Sequence, residues 1–280
     1  MRKRAEASKE RASAAKEAMG ERVDAAKEAT SQRMETDKEA TTQRMEAAKE
    51  ATGERVEAVK QAATDLQEKV KPKLRGVIHE YSFPISILAG AILVLAASGG
   101  RERLALGIYA VSLSALLGTS ALYHRVNWKQ PSTRRWMRRL DHSMIFLLIA
   151  GTLTPFALLV LDGSLATAVL VAVWAGAAAG IMVELIWTDS PKWVSVGVYL
   201  AVGWIGAIAF PAIIVEAGVG AGALIAIGGI LYTAGAVIYA MQRPDPAPAV
   251  FGYHEIFHVL VVAAAAAHFA AIAIYAGPSA

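Results

Sequence analysis

An all-α membrane protein is the fold the sequence predicts: a bundle of seven transmembrane helices preceded by a charged helical arm. Three observations predict it. Hydrophobic residues make up 55% of the 280, and the mean hydropathy is +0.40, high for a soluble domain. After about Phe83 the apolar residues gather into runs near 20 residues long, the length that crosses a hydrocarbon core. Ahead of those runs lies a polar stretch whose charged blocks recur at a fixed period.

Residues 1–70 form the arm. The block Ala14-Ala15-Lys16-Glu17-Ala18 returns as Ala25-Ala26-Lys27-Glu28-Ala29, then Thr36-Asp37-Lys38-Glu39-Ala40, then Ala47-Ala48-Lys49-Glu50-Ala51. An 11-residue period over three turns keeps each position on nearly one face of a straight or slightly right-handed helix. Ala, Lys, Glu, Arg and Gln are strong helix formers. The apolar stripe (Ala15, Val23, Ala26, Met34, Met45, Ala48, Val56) is thin. It suits self-association as a loose coiled coil, shallow contact with a membrane surface, or a solvated single helix, and the sequence leaves these three open.

Residues 71–280 are the seven-span domain. The expected spans are Tyr81–Ala97, Leu104–Tyr123, Met144–Leu161, Leu165–Trp187, Trp193–Val215, Ala221–Met241 and Ile256–Ala276. Short turns such as Asp162-Gly163-Ser164 separate them. Pro155 and Pro211 fall inside or near span ends, where neighbours re-satisfy a freed carbonyl. The abundant Gly and Ala suit close helix packing in lipid. No apolar leader precedes the first span, which is therefore expected to double as the insertion signal.

Loop charge sets the expected orientation. Arg125, Lys129, Arg134, Arg135, Arg138 and Arg139 all lie between spans two and three, and the arm is rich in Lys and Arg. The opposite loops carry Arg101, Arg103, Asp162 and Glu216. Basic residues mark the cytoplasmic side, so an integral, multi-pass protein is expected, with its N-terminus cytoplasmic and its C-terminus outside. This bias accounts for the net charge of +4, and nothing calls for a nucleic-acid partner. There is no cysteine, which excludes disulfides and thiolate metal sites and leaves His and carboxylates as ligands.

His254 and His258 stand one turn apart at the mouth of span seven, on one helix face, where both can grip a single ion. On the predicted topology His124 ends span two at the same leaflet, Asp141 and His142 open span three there, and His79 sits just before span one. Three imidazoles with one open position describe a catalytic zinc; four protein ligands describe a closed structural one. Ser120, one turn deeper than His124, either hydrogen-bonds a zinc-bound water or substrate carbonyl or is a small packing residue. Asp141 is a direct ligand, or a group that orients the water and accepts its proton, or simply the N-cap of span three. In that last case His142 is interfacial, and it is left outside the metal shell. His268 lies ten residues beyond His258, too deep for the same ion, and is expected to be hydrogen-bonded inside the bundle. Glu184, one turn from the end of span four, is expected either near the site or paired with an arginine.

His254-Glu255-Ile256-Phe257-His258 matches the H-E-x-x-H pattern of zincin metalloproteases, with Glu255 as general base. No third ligand or peptide-binding edge strand accompanies it. A second pattern takes in more residues. Ser120-x-x-x-His124, Asp141 and His254-x-x-x-His258, with Lys73-Leu74-Arg75-Gly76-Val77-Ile78-His79-Glu80 ahead of span one, resemble the haemolysin III branch of the progestin and adipoQ receptor (PAQR) family. The resemblance covers residues 71–277 and leaves the arm outside.

The resemblance implies a seven-helix fold with zinc near the cytoplasmic face, held by His124, His254 and His258. Asp141 would hold the zinc-bound water with Ser120 near it, and Glu255 would have no role. The wider CREST membrane hydrolase superfamily includes alkaline ceramidases, which implies hydrolysis of an amide or related bond in a lipid. Three functions are therefore carried forward: a zinc-dependent, lipid-directed hydrolase; a receptor- or sensor-like protein whose zinc braces the helices; and an intramembrane metalloprotease.

Overall fold

The computed structural model describes residues 2–69, 71–187 and 191–277. The chain divides into two compact units, the arm and the helical body. The arm is one helix, α1 (Arg2–Lys69). Thr36 and Thr52 fold back onto the preceding turn, Thr36 donating to the Gln32 carbonyl at 2.8 Å and Thr52 to that of Ala48 at 2.6 Å. Thr41 and Thr42 do the same to the Asp37 and Lys38 carbonyls, so these four hydroxyls are satisfied within the helix.

Among the described residues the body contains seven helical stretches long and apolar enough to cross a membrane. They are α2 (Val77–Ala96), α3 (Gly100–Arg125), α4 (Pro131–Pro155), α5 (Gly163–Ile186), the pair α6 (Lys192–Gly203) and α7 (Gly206–Ala217), α8 (Val219–Met241) and α9 (Tyr253–Tyr275). The predicted fold class is the observed one. Most span ends move outward by a few residues, because the polar residues flanking each apolar run are still helical.

Three departures carry physical content. The third span starts at Pro131, well before Met144, with proline at its first position and Gln130 as N-cap. Arg134, Arg135, Arg138 and Arg139 thus ride on helical turns, and Asp141 is inside the helix. The reading of Asp141 as an N-cap is overturned. The same span ends at Pro155, which has no N–H for the preceding turn, and continues as a π-helical turn over Phe156–Val160 closed by Leu161 N–H to the Phe156 carbonyl at 2.9 Å. The fifth span, expected to be continuous, breaks at Trp204-Ile205. There Ile205 and Ala207 donate to carbonyls three residues back, the tighter winding that separates α6 from α7.

Consecutive helices pack as neighbours from α2 to α5, α8 pairs with α9, and α9 returns against α2. Small residues allow this: a Cβ on Gly90 of α2 would lie 2.8 Å from the Ala110 Cβ of α3. The core at the helix crossings is formed by Tyr109, Leu106, Phe156, Ile213 and Ile272, all almost wholly buried. Up-and-down connectivity then brings the start of α2, the end of α3, the first turns of α4 and the start of α9 to one end of the bundle.

Candidate metal centre

That shared end is fastened from both sides. Lys73 and Leu74 donate backbone N–H groups to the Ala249 and Val250 carbonyls, each at 3.1 Å, tying the lead-in to α2 onto the loop before α9. Arg75 in that lead-in pairs through Nε with Glu255 of α9. The other oxygen of Glu255 accepts the Gly252 N–H at 2.8 Å, capping the first turn of α9. Glu255 is thus buried and fully engaged, and it belongs to the scaffold. Gly76 follows in the left-handed conformation, φ 75°, and a Cβ there would meet the His124 Cβ at 2.6 Å. Only glycine brings the backbone this close to His124.

Three imidazoles converge within the frame. His124 Nε2 lies 3.2 Å from His254 Nε2, and one nitrogen from each of His124, His254 and His258 falls within 4.8 Å of the others. A tetrahedral ion with bonds of about 2.05 Å to nitrogen needs its ligand atoms about 3.3 Å apart. His124 and His254 already stand at that spacing, and the nitrogen of His258 lies within 4.8 Å of both. Neutral nitrogen donors with no thiolate suit zinc or a similar divalent transition metal, so the residues present fit such an ion.

Two further groups lie against the cluster. Asp141 Oδ2 is 3.5 Å from the same Nε2 of His124, and the buried Ser120 lines the same cavity as Asp141. His79 stacks on His258, with ring centroids 4.0 Å apart and planes inclined by 17°. Both His79 nitrogens and His258 Nδ1 are buried without a hydrogen-bond partner. Such orphans are rare in native proteins; these three adjoin the cradle, and Tyr109, Ser143, Tyr232 and His268 carry others in the bundle.

A cavity of about 440 Å³ opens from this cluster into the bundle. Ser120, Asp141, His254 and His258 line its polar end, and Leu148, Phe156 and Ile225 line its apolar length. His268 marks its depth, about 15 Å along α9 from His258. Each predicted site residue is therefore placed: Ser120, His124, Asp141, His254 and His258 come together. His268 lies apart, donating from Nε2 to the Ile225 carbonyl at 3.2 Å, as expected for a bundle histidine. His142 is not one of the three clustered imidazoles; its Nδ1 is 3.3 Å from Glu184 Oε2. Glu184 takes this histidine and the Tyr199 hydroxyl as partners, in place of the arginine considered from sequence. Arg75, His79 and Tyr199 are the participants that the sequence did not identify as such. Arg75 and His79 lie in the quoted Lys73–Glu80 motif, which was the signal available.

Comparison with known proteins agrees with this architecture. The sequence profile of the family described as "Haemolysin-III related" matches residues 67–269. The "Hemolysin-3 homolog" of Bacillus subtilis is 32% identical over 202 residues, 71% of this chain and 91% of that protein. The "Hemolysin-3" of Bacillus cereus is 31% identical over 215 residues, 75% of this chain and 94% of the relative. The human "Monocyte to macrophage differentiation factor" is 28% identical over 199 residues, 69% of this chain and 79% of its own length. Fold, histidine cluster and sequence matches thus lead to one assignment: the chain belongs to the haemolysin-III related family, the haemolysin III branch of the PAQR family.

Proposed function

We propose that this protein is a zinc-binding, lipid-directed hydrolase of amide-type bonds, oriented with its N-terminus in the cytoplasm. The observation that carries the reading is the junction of the three-histidine cradle and Asp141 with the polar end of a long apolar cavity. His124, His254 and His258 would hold the zinc. Bound there, zinc would supply a Lewis acid and lower the pKa of a water to about 7.

The chain's own groups do the rest. Asp141, with Ser120 beside it on the cavity lining, accepts a proton from the water that adds to the substrate carbonyl. It returns that proton to the leaving nitrogen as the C–N bond breaks. The apolar cavity takes the acyl chain and keeps bulk water from it. Asp141 and Ser120 are therefore the residues proposed as catalytic. The basic turns of α4 favour the inner leaflet for this end of the bundle, and the arm tethers the body by self-association or by contact with the membrane surface.

The protease reading loses support because Glu255 is committed to Arg75 and the Gly252 amide. The deciding experiment assays purified zinc-loaded protein on lipid amides beside Asp141→Ala. Loss of turnover with zinc content retained supports the hydrolase. Absence of turnover on every lipid amide, with stability lost on chelation, replaces it with a bracing role for the metal.

A further inference from the structure

A second polar feature of the cavity stands apart from the metal cradle. Glu184 of α5 is buried in the membrane-spanning body, where an ionisable group generally serves a function. Its oxygens accept from the Tyr199 hydroxyl at 2.9 Å and face His142 Nδ1 at 3.3 Å. A carboxylate that accepts from both fixes the hydrogen of the neutral His142 ring on Nδ1, leaving Nε2 as an acceptor. Nε2 has no partner among the described residues and is not among the buried orphans. The side chain is 24% exposed, and His142 lines the cavity one residue after Asp141, with Tyr199 on the same wall.

We infer that His142 Nε2, held by Glu184 and Tyr199, is a substrate-binding acceptor that receives an N–H or O–H group from the lipid in the cavity. The inference rests on the lipid-directed reading above and narrows it. The preferred ligand carries a hydrogen-bond donor beside its scissile bond, as a secondary amide does and a tertiary amide or an ester does not. Glu184 and Tyr199 are positioning residues that fix the tautomer and ring plane, much as outer groups do for a metal-bound histidine.

Calorimetry on the full chain in detergent, with N-butyl dodecanamide and N-butyl-N-methyl dodecanamide as probes, tests this. Wild type should bind the secondary amide about tenfold more tightly, the worth of one hydrogen bond. The paired variant His142→Phe with Glu184→Gln leaves no carboxylate unpartnered and keeps an acceptor for Tyr199. It should bind the two amides equally while its metal content is unchanged. A merely structural role would not move that ratio. Preference persisting in the variant, or no preference in wild type, overturns the inference alone. Failure of wild type to bind either amide overturns the lipid-cavity reading and the inference together.

Discussion

His124 and His254 stand 130 residues apart in sequence and bring their Nε2 atoms to 3.2 Å. A neutral N–H···N hydrogen bond would account for that pair alone. It would not account for a nitrogen of His258 within 4.8 Å of both, nor for Asp141 at 3.5 Å from the same His124 nitrogen. The three histidines could hold a divalent ion between them, with Asp141 beside it on the reading proposed above.

Metal removal should therefore destabilise the body. At free zinc one hundred times the dissociation constant, binding contributes about 2.7 kcal/mol to the folded state. Chelation should lower the melting temperature of wild type measurably, and zinc should restore it. His124→Ala and His258→Ala should each purify with little bound metal, measured by elemental analysis, and should melt at the same temperature with or without chelator. A chelator response that persists in both variants would place the metal elsewhere.

Two glycines separate backbone strain from local crowding. Gly76 and Gly163 both have positive φ, 75° and 62°, so alanine at either is strained by about 1 kcal/mol. Around Gly163 nothing approaches a new Cβ, whereas at Gly76 it meets His124. Gly163→Ala should lower stability and leave zinc affinity intact. Gly76→Ala should lower both, with zinc affinity falling at least tenfold as His124 is displaced. Thermal melts and competitive zinc titration on the two variants check the contrast.

The two glycines also show where the sequence was legible. Seven spans followed from run length alone, and His254 and His258 announced themselves because one turn of helix links them. Asp141 looked terminal because hydropathy ends at Met144, yet the arginine-rich turns before it remain helical once they leave the apolar layer. The break at Trp204-Ile205 is flanked by Gly203 and Gly206, a weak mark in spans where glycine is abundant and close packing explains it as well. Pairings such as Arg75 with Glu255, 180 residues apart, and His142 with Glu184 depend on tertiary register, which no local pattern encodes. The H-E-x-x-H spelling was legible, but it could not reveal that Glu255 caps α9 and pairs with Arg75.

Glu255 is accordingly expected to behave as a structural residue. Glu255→Gln keeps an acceptor for the Gly252 N–H and loses the charge partner of Arg75; Glu255→Ala loses both. With Arg75 one-fifth exposed, the first change should cost about 1 kcal/mol and the second about 2–3 kcal/mol. Any lipid-amide turnover should survive Glu255→Gln within a fewfold and vanish in Asp141→Ala. The opposite pattern, Glu255 essential and Asp141 dispensable, would restore the protease reading.

The proposed orientation makes the last prediction. Lys129 lies in the α3–α4 connection and Ala249 in the α8–α9 connection, at the end that carries the histidines, while Asp162 precedes α5 at the other end. All three are exposed. The chain has no cysteine, so a single introduced thiol reports its own position without background. In intact cells an impermeant maleimide should label Asp162→Cys and spare Lys129→Cys and Ala249→Cys; after permeabilisation all three should react. Labelling of Lys129 and Ala249 together, with Asp162 protected, would invert the protein and put the cradle at the outer leaflet, leaving the fold untouched. Labelling of only one of the pair would put α3 and α9 ends on opposite faces of the membrane, and a shared ion between His124 and His254 would then be impossible.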